Sequence, residues 1–249
     1  MSEILLRLAQ AEAAAHTRFG ASGTVARFGP LVAVASGQRL PIDTAWHDGT
    51  GAPADDDWAA FEAFCAAQEQ PATLNLLSHA APALLPDLNG RGYGLDSVLH
   101  AFAHDLASPA PAPGWPEHSG WPVHEEPDPN RWADLAAQGF GPGTETIMRL
   151  VAGVPGTRRF VATVEGAEAG TGGYATEAGV AALHGAATRP EFRGRGVQAA
   201  LLAFRLAQAA REGADLASVF VTPGSGSERN VVRAGFGLAG LRLTFTRRG

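Results

Sequence analysis

The chain has 249 residues, a single cysteine, no lysine and a net charge of −6. That charge excludes a general nucleic-acid binder, and Cys65 alone rules out an internal disulfide and suits the cytoplasm. Hydrophobic residues at 45%, with no apolar run of membrane-span length and no basic-then-apolar leader, agree with a soluble protein of one large or two small domains, without a membrane partner.

In chain order, Leu31-Val-Ala-Val-Ala-Ser-Gly37 reads as a strand. Gly51-Ala-Pro-Ala-Asp55-Asp56-Asp57-Trp58 opens a helix carrying Phe61. Three carboxylates there suit the helix dipole and would repel a phosphate. Leu74–Leu77 is a short apolar strand, and Arg91-Gly92-Tyr93-Gly94-Leu95 leads into another at Val98–Phe102. The alternating prolines after Ser108 predict a stiff linker over residues 108–120, between domains at 1–107 and 121–249. His118, His124, Glu125 and Glu126 lack metal-ligand spacing, so no metal is expected. Asp128-Pro129 caps and opens a helix over Asn130–Gln138. Trp115, Trp121 and Trp132 line a cleft between the halves or anchor the linker.

The most informative stretch follows the apolar run Gly179–Ala187. Thr188-Arg189-Pro190-Glu191-Phe192-Arg193-Gly194-Arg195-Gly196-Val197-Gln198 leads into a helix from Val197 to about Gly213, with Val197, Leu201 and Phe204 on one stripe. Strand, glycine turn and helix start make an anion site: free helix amides, a favourable dipole and a backbone that can approach closely. Arg193 and Arg195 add fixed positive charge. The mononucleotide P-loop is excluded because it needs a lysine. The dinucleotide fingerprint stays open on spacing, with Ala199 and Asp215 in compatible places, and so does a solvated Arg-Gly turn. Beyond the helix come a strand Leu216–Val221, a turn Pro223–Ser227, a helix Glu228–Ala234 stopped by Gly235-Phe236, and a strand Leu241–Phe245.

This order, with Arg193-Gly194-Arg195-Gly196-Val197-Gln198 and the ending Arg233-Ala234-Gly235-Phe236, resembles the GNAT superfamily of acyl-CoA-dependent N-acyltransferases over roughly residues 120–249. The family signature is Arg/Gln-x-x-Gly-x-Gly/Ala, and Gln198 replaces its last small residue. The resemblance implies a CoA opening between two splayed parallel strands. The pantetheine arm would meet backbone groups of Ala186, Ala187 and Thr188, one N–H polarising the thioester. The pyrophosphate would rest on amides of Arg193, Gly194, Arg195, Gly196, Val197 and Gln198. Asn230 matches a position that contacts the CoA arm, or is a polar residue of a first helical turn. His184, which by period-2 alternation shares a face with Ala182 and Ala186, is either the general base or a packed histidine. Glu168 and Glu177 are weaker carboxylate alternatives. The thiolate-protonating tyrosine of many members is replaced by Val231; Tyr174 is the only phenol of this half.

A repeat accompanies the motif. Gly92 and Gly235, Leu74–Leu77 and Ala217–Phe220, and Phe61 and Phe204 are related by one offset of 143 residues; Leu31–Gly37 resembles Phe160–Gly166 at an offset of 129. The expected architecture is α/β (α+β): two GNAT-like domains, each a mixed, mostly antiparallel twisted sheet flanked by helices, the N-terminal one degenerate and CoA-free. The expected function is acetyl transfer from acetyl-CoA to a primary amine, preferably a small molecule, by direct attack in a ternary complex, in a monomer or homodimer. The alternatives are a weak or inactive acyl-CoA-binding module and a structural interaction domain.

Overall fold

The computed structural model describes residues 2–107 and 120–248. The expected linker, with Trp115 and His118, lies outside them apart from Gly120. The elements run α1 (Ser2–His16), β1 (Thr24–Phe28), β2 (Leu31–Ala35), β3 (Ala45–His47), α2 (Asp55–Ala67), β4 (Thr73–Leu77), α3 (Ala81–Gly90) and β5 (Tyr93–Asp105). They continue β6 (Val123–Glu125), α4 (Pro129–Phe140), α5 (Glu145–Gly153), β7 (Arg158–Val164), β8 (Ala167–Glu177), β9 (Val180–Thr188), α6 (Val197–Arg211), β10 (Leu216–Val221), α7 (Gly226–Arg233) and β11 (Gly237–Arg247). Two compact units result: residues 1–102 with 220–223 and 238–249, and residues 103–219 with 224–237.

The first unit is an antiparallel meander, β1-β2-β3, extended by β4, β11 and β5. β4 runs parallel to β3, with Ala45 opposite Leu74 and Trp46 opposite Asn75. Its core gathers Trp58 and Phe61 from α2, Leu74 and Leu76 from β4, Leu84 and Leu88 from α3, and Phe245 from β11. The last strand therefore does not close the second domain, as the order of elements suggested. It lies antiparallel to β4, with Leu243 opposite Leu76 and Phe245 opposite Leu74. Side chains reinforce the ladder: Thr244 Oγ1 donates to Asn75 Oδ1 (2.7 Å), and Asn75 Nδ2 donates to Thr44 Oγ1 (3.0 Å). An alternating apolar strand fits either sheet; the buried partners on offer decide which.

At the start of α2 the Asp57 carboxylate accepts the Ala54 N–H (2.9 Å), and Asp55 pairs with Arg91. The turn after β3 is also occupied by its own groups. His47 Nδ1 accepts the Gly49 N–H (3.0 Å), its Nε2 meets Gly51 O (2.6 Å), and Asp48 holds Thr50 and Arg27.

The second unit carries the order β10-β9-β8-β7-β6, antiparallel except where β10 runs parallel to β9. Asp128 caps α4 as expected, accepting the Asn130 N–H (2.9 Å). Trp132 lines no cleft. It is fully buried in the unit's core, with Nε1 donating to Phe160 O (3.2 Å). An indole at the fourth residue of an amphipathic helix turns inward when its N–H finds a partner. The offset of 129 joins strands at different places: β2 is two strands from β4, the parallel partner of β3, whereas β7 is three strands from β10, the parallel partner of β9. The offset of 143 joins equivalent places, α2 with α6, β4 with β10 and β5 with β11.

Candidate active site

β9 and β10 pair at only three positions, Val180 with Leu216, Ala181 with Ala217 and Ala182 with Ser218. β9 continues to Thr188 and β10 to Val221, so the parallel pair opens beyond Ala182. A bulge lies in the opening. Gly173 faces His184 and Thr171 faces Ala187 across the β8–β9 ladder, leaving two residues of β9, Gly185 and Ala186, against one of β8. Gly185 has φ +61, a conformation natural to glycine. A Cβ there would also overlap the Trp132 ring. The sequence signal is a lone glycine inside an apolar strand. Simple alternation misses it, and the face shared by His184 and Ala186 is lost where the bulge shifts the pleat.

The glycine turn stands at the head of α6. Gly194 and Gly196 have φ +76 and +79, and a Cβ on either would meet nothing within 4 Å. The helix has no side-chain cap, and its first i→i−4 amide bond runs from Ala200 N to Gly196 O. The Val197, Gln198 and Ala199 amides precede that bond, as an anion site requires. The arginine side chains are already engaged. Arg193 donates to Gly139 O (3.0 Å) and Thr188 O (3.3 Å), tying the end of α4 to β9. Arg195 pairs with Glu165 (2.6 Å) and lies over the Trp121 and Phe192 rings. Trp121 Nε1 in turn donates to Arg195 O (2.6 Å). These guanidinium groups brace the turn and raise the local potential.

Gln198, the departure from the family signature, donates to Ala187 O and Thr188 Oγ1, both at 2.8 Å. One of the strand carbonyls expected to meet the pantetheine arm is therefore already satisfied. Ala186 is exposed, Ala187 buried and Thr188 half-buried. Gly139 abuts this stretch, since a Cβ there would stand 2.7 Å from Ala187 Cβ and 3.0 Å from Thr188 N. Gly139→Ala should therefore displace β9, lowering the melting temperature of the second unit by several degrees in a calorimetric scan.

His184 is half-buried, opposite Gly173. Burial first, and the Arg205 guanidinium second, lower its pKa to about 4. Its Nδ1 is buried without a hydrogen-bond partner. The ring is thus neutral at pH 7 and stays so in mild acid. Unfolded histidine takes a proton below about 6.5, whereas the folded ring resists until about 4. The associated stability is complete above pH 6.5 and is lost as pH falls toward 4, by about 2 kcal/mol at pH 5. Melting temperatures of His184→Gln and the native chain should therefore converge, or cross, between pH 7 and 5. The comparison cancels other buried groups such as His16 and Glu12.

The remaining candidates separate clearly. Tyr174 OH donates to Glu212 Oε2 (2.6 Å) at the far end of α6, and burial with that carboxylate pushes the phenol well above its usual range. It is not a proton donor for the α6 head. Glu168 pairs with Arg131. Val231 is buried on α7, so no phenol stands there. Asn230 is half-buried, and its side chain makes no hydrogen bond among the described residues. The cap of α7 is Ser225, which accepts the Glu228 N–H (3.1 Å). No group of three or more metal-ligating side chains is found among the described residues, and none of their helices is long and apolar enough to cross a membrane.

A bulged strand, a parallel neighbour that diverges from it and a glycine turn at an uncapped helix stand together in this unit. The GNAT acetyltransferase family model matches residues 101–236, and the chain belongs to that family, whose members transfer acyl groups, acetyl-CoA being their general donor. A GCN5-related N-acetyltransferase from Kribbella flavida shares the fold with a TM-score of 0.77 at 19% identity, over 99% of this chain and 96% of that one. A tandem GNAT protein of the clavulanic acid biosynthesis pathway superposes with a TM-score of 0.64 at 14% identity, over 97% and 92% of the chains. A GNAT-family acetyltransferase from Colwellia psychrerythraea gives 0.54 at 13% identity, over 88% and 81%. No curated protein sequence matches the chain.

Proposed function

We propose that the second unit binds acetyl-CoA and transfers its acetyl group to a primary amine by direct attack in a ternary complex, a small molecule being the preferred acceptor. The observation that carries this reading is the uncapped head of α6, with its two left-handed glycines facing open space, beside strands that part beyond Ala182. In this reading the amides of Gly194 to Gln198 seat the pyrophosphate, and Arg193 and Arg195 hold the turn in shape. Ala186 and Thr188 offer backbone groups to the pantetheine arm, with Ala187 contributing less because Gln198 occupies its carbonyl. Asn230, whose side chain makes no hydrogen bond among the described residues, completes the cradle. His184 accepts the amine proton only transiently, given its low proton affinity, so the acceptor enters largely as the free amine. With valine at position 231, the thiolate leaves without a phenolic donor.

The first unit is, on this proposal, a degenerate copy that binds no CoA. Along the chain, β1-β2-β3-α2-β4-α3-β5 and β7-β8-β9-α6-β10-α7-β11 repeat one order of elements, although the last strand of the second run lies in the first unit's sheet. The likeness to the tandem protein supports the reading. Asp57 and the His47–Gly51 turn fill the places that a CoA would need.

The test is acetyl-CoA binding followed by calorimetry. At a concentration of one hundred times Kd, the melting temperature should rise by roughly 5–10 °C. Gly194→Asp puts a carboxylate in the turn where the backbone leaves open space, and should abolish that rise while lowering the unliganded melting point by only a few degrees. No rise in the native chain, or an undiminished rise in Gly194→Asp, would overturn the proposal.

A further inference from the structure

The β9 bulge is held by two buried side chains from outside its own strand. Thr171 of β8 is fully buried, and its Oγ1 donates to Gly185 O (3.1 Å). Arg205 of α6 is 2% exposed and meets only backbone carbonyls among the described residues. Its Nη1 reaches His184 O (3.4 Å) and Gly173 O (3.2 Å), and its Nε reaches Leu201 O (3.1 Å). A guanidinium buried without a carboxylate is costly, which argues that its position is selected for what it holds.

Peptide planarity turns these contacts into a direction. In a trans peptide the C=O and the following N–H point to opposite sides. Thr171 draws the Gly185 carbonyl toward β8, so the Ala186 N–H points away from β8, to the side where β10 lies and where the β9–β10 pairing has ended. Ala186 is also the exposed residue of this stretch, between half-buried Gly185 and buried Ala187. We infer that Thr171, backed by Arg205, is a positioning residue whose hydroxyl aims the Ala186 N–H at the acyl carbonyl of the bound thioester. The inference rests on the acetyl-CoA reading above and names which amide does the polarising. A donor fixed before the substrate arrives costs no reorganisation when charge develops on that oxygen.

The test needs no knowledge of the acceptor. The probe is acetyl-CoA labelled with carbon-13 at the acetyl carbonyl, observed by difference infrared spectroscopy on the full chain. The native protein should lower the thioester carbonyl frequency relative to water. Thr171→Val keeps the side-chain shape and removes the donor. It should return the band toward its position in water and weaken acetyl-CoA, but not CoA, by about fivefold. Thr171→Ser restores the donor and should restore the native band. A purely structural threonine would change the melting temperature and leave the band in place, and that result would overturn the inference. Should the valine variant fail to fold, Thr171→Ala takes its place with the same two outcomes. Failure of the native chain to bind the probe would sink the functional reading itself, a result distinct from a bound probe whose band ignores Thr171.

Discussion

A chain ending at Gly237 should lose the fold of its first unit. β11 is not a peripheral strand: it lies between β4 and β5 and supplies Phe245, 5% exposed, to the core around Trp58 and Phe61. Its removal would orphan a ladder that runs from Ser78, bonded to Leu241 in both directions (2.8 and 3.1 Å), to Ala72 O, which accepts the Arg247 N–H (2.9 Å). Buried backbone groups without partners are rarely tolerated, and a sheet with its middle strand missing has no neighbour to repair it. Hydrogen exchange on the truncated chain should show loss of protection across Leu74–Leu77, with protection retained in β7 to β9. Phe245→Ala is the graded form and should cost about 3–5 kcal/mol. Retained protection in β4 after truncation would refute the assignment.

Gly185→Ala should be the most damaging single-methyl change in the second unit. Two penalties coincide at this residue. Its φ of +61 is unfavourable for alanine, and its Cβ would collide with the Trp132 ring, which is fully buried and fixed to Phe160 O. Together they should cost about 3 kcal/mol or more, a fall of roughly 10 °C in melting temperature. The same change should erase the acetyl-CoA shift, because straightening the bulge rotates the Ala186 amide. Gly194→Ala is the control: its φ is also positive, but open space surrounds it, so only about 1 kcal/mol is expected. Equal losses at Gly185 and Gly194 would show that conformation alone, and not the collision, sets the cost.

The glycine turn and its flanking elements were legible because local chemistry dictates them. Gly194 and Gly196 adopt positive φ, α6 begins at Val197, and the Asp128 cap sits where its side chain demands. The splayed strands were legible only through the family resemblance, since parallel pairing joins residues some 36 positions apart, as between Val180 and Leu216. Whatever depends on distant partners was hidden. The arginines of the turn advertise charge, yet Gly139 O, Thr188 O and Glu165 claim their side chains. His184 reads from the sequence as a base or a packed histidine, and it is burial, followed by the Arg205 guanidinium 21 residues later, that lowers its proton affinity. Tyr174 is the only phenol of the C-terminal half, and its engagement by Glu212 is not written in its sequence neighbours. The destination of the last strand is hidden as well, because its alternation fits either sheet.

That destination bears on how the protein is made. The ribosome releases the first hundred residues before any of β11 exists, so the amino-terminal half emerges with an unfilled slot in its sheet and an exposed apolar face. It cannot reach its final state until β11 has been made, and then β4 and β5 must admit the later segment between them. A late step of this kind should make the nascent chain a client for chaperones, and should leave maturation sensitive to the pace at which the codons of β11 are read.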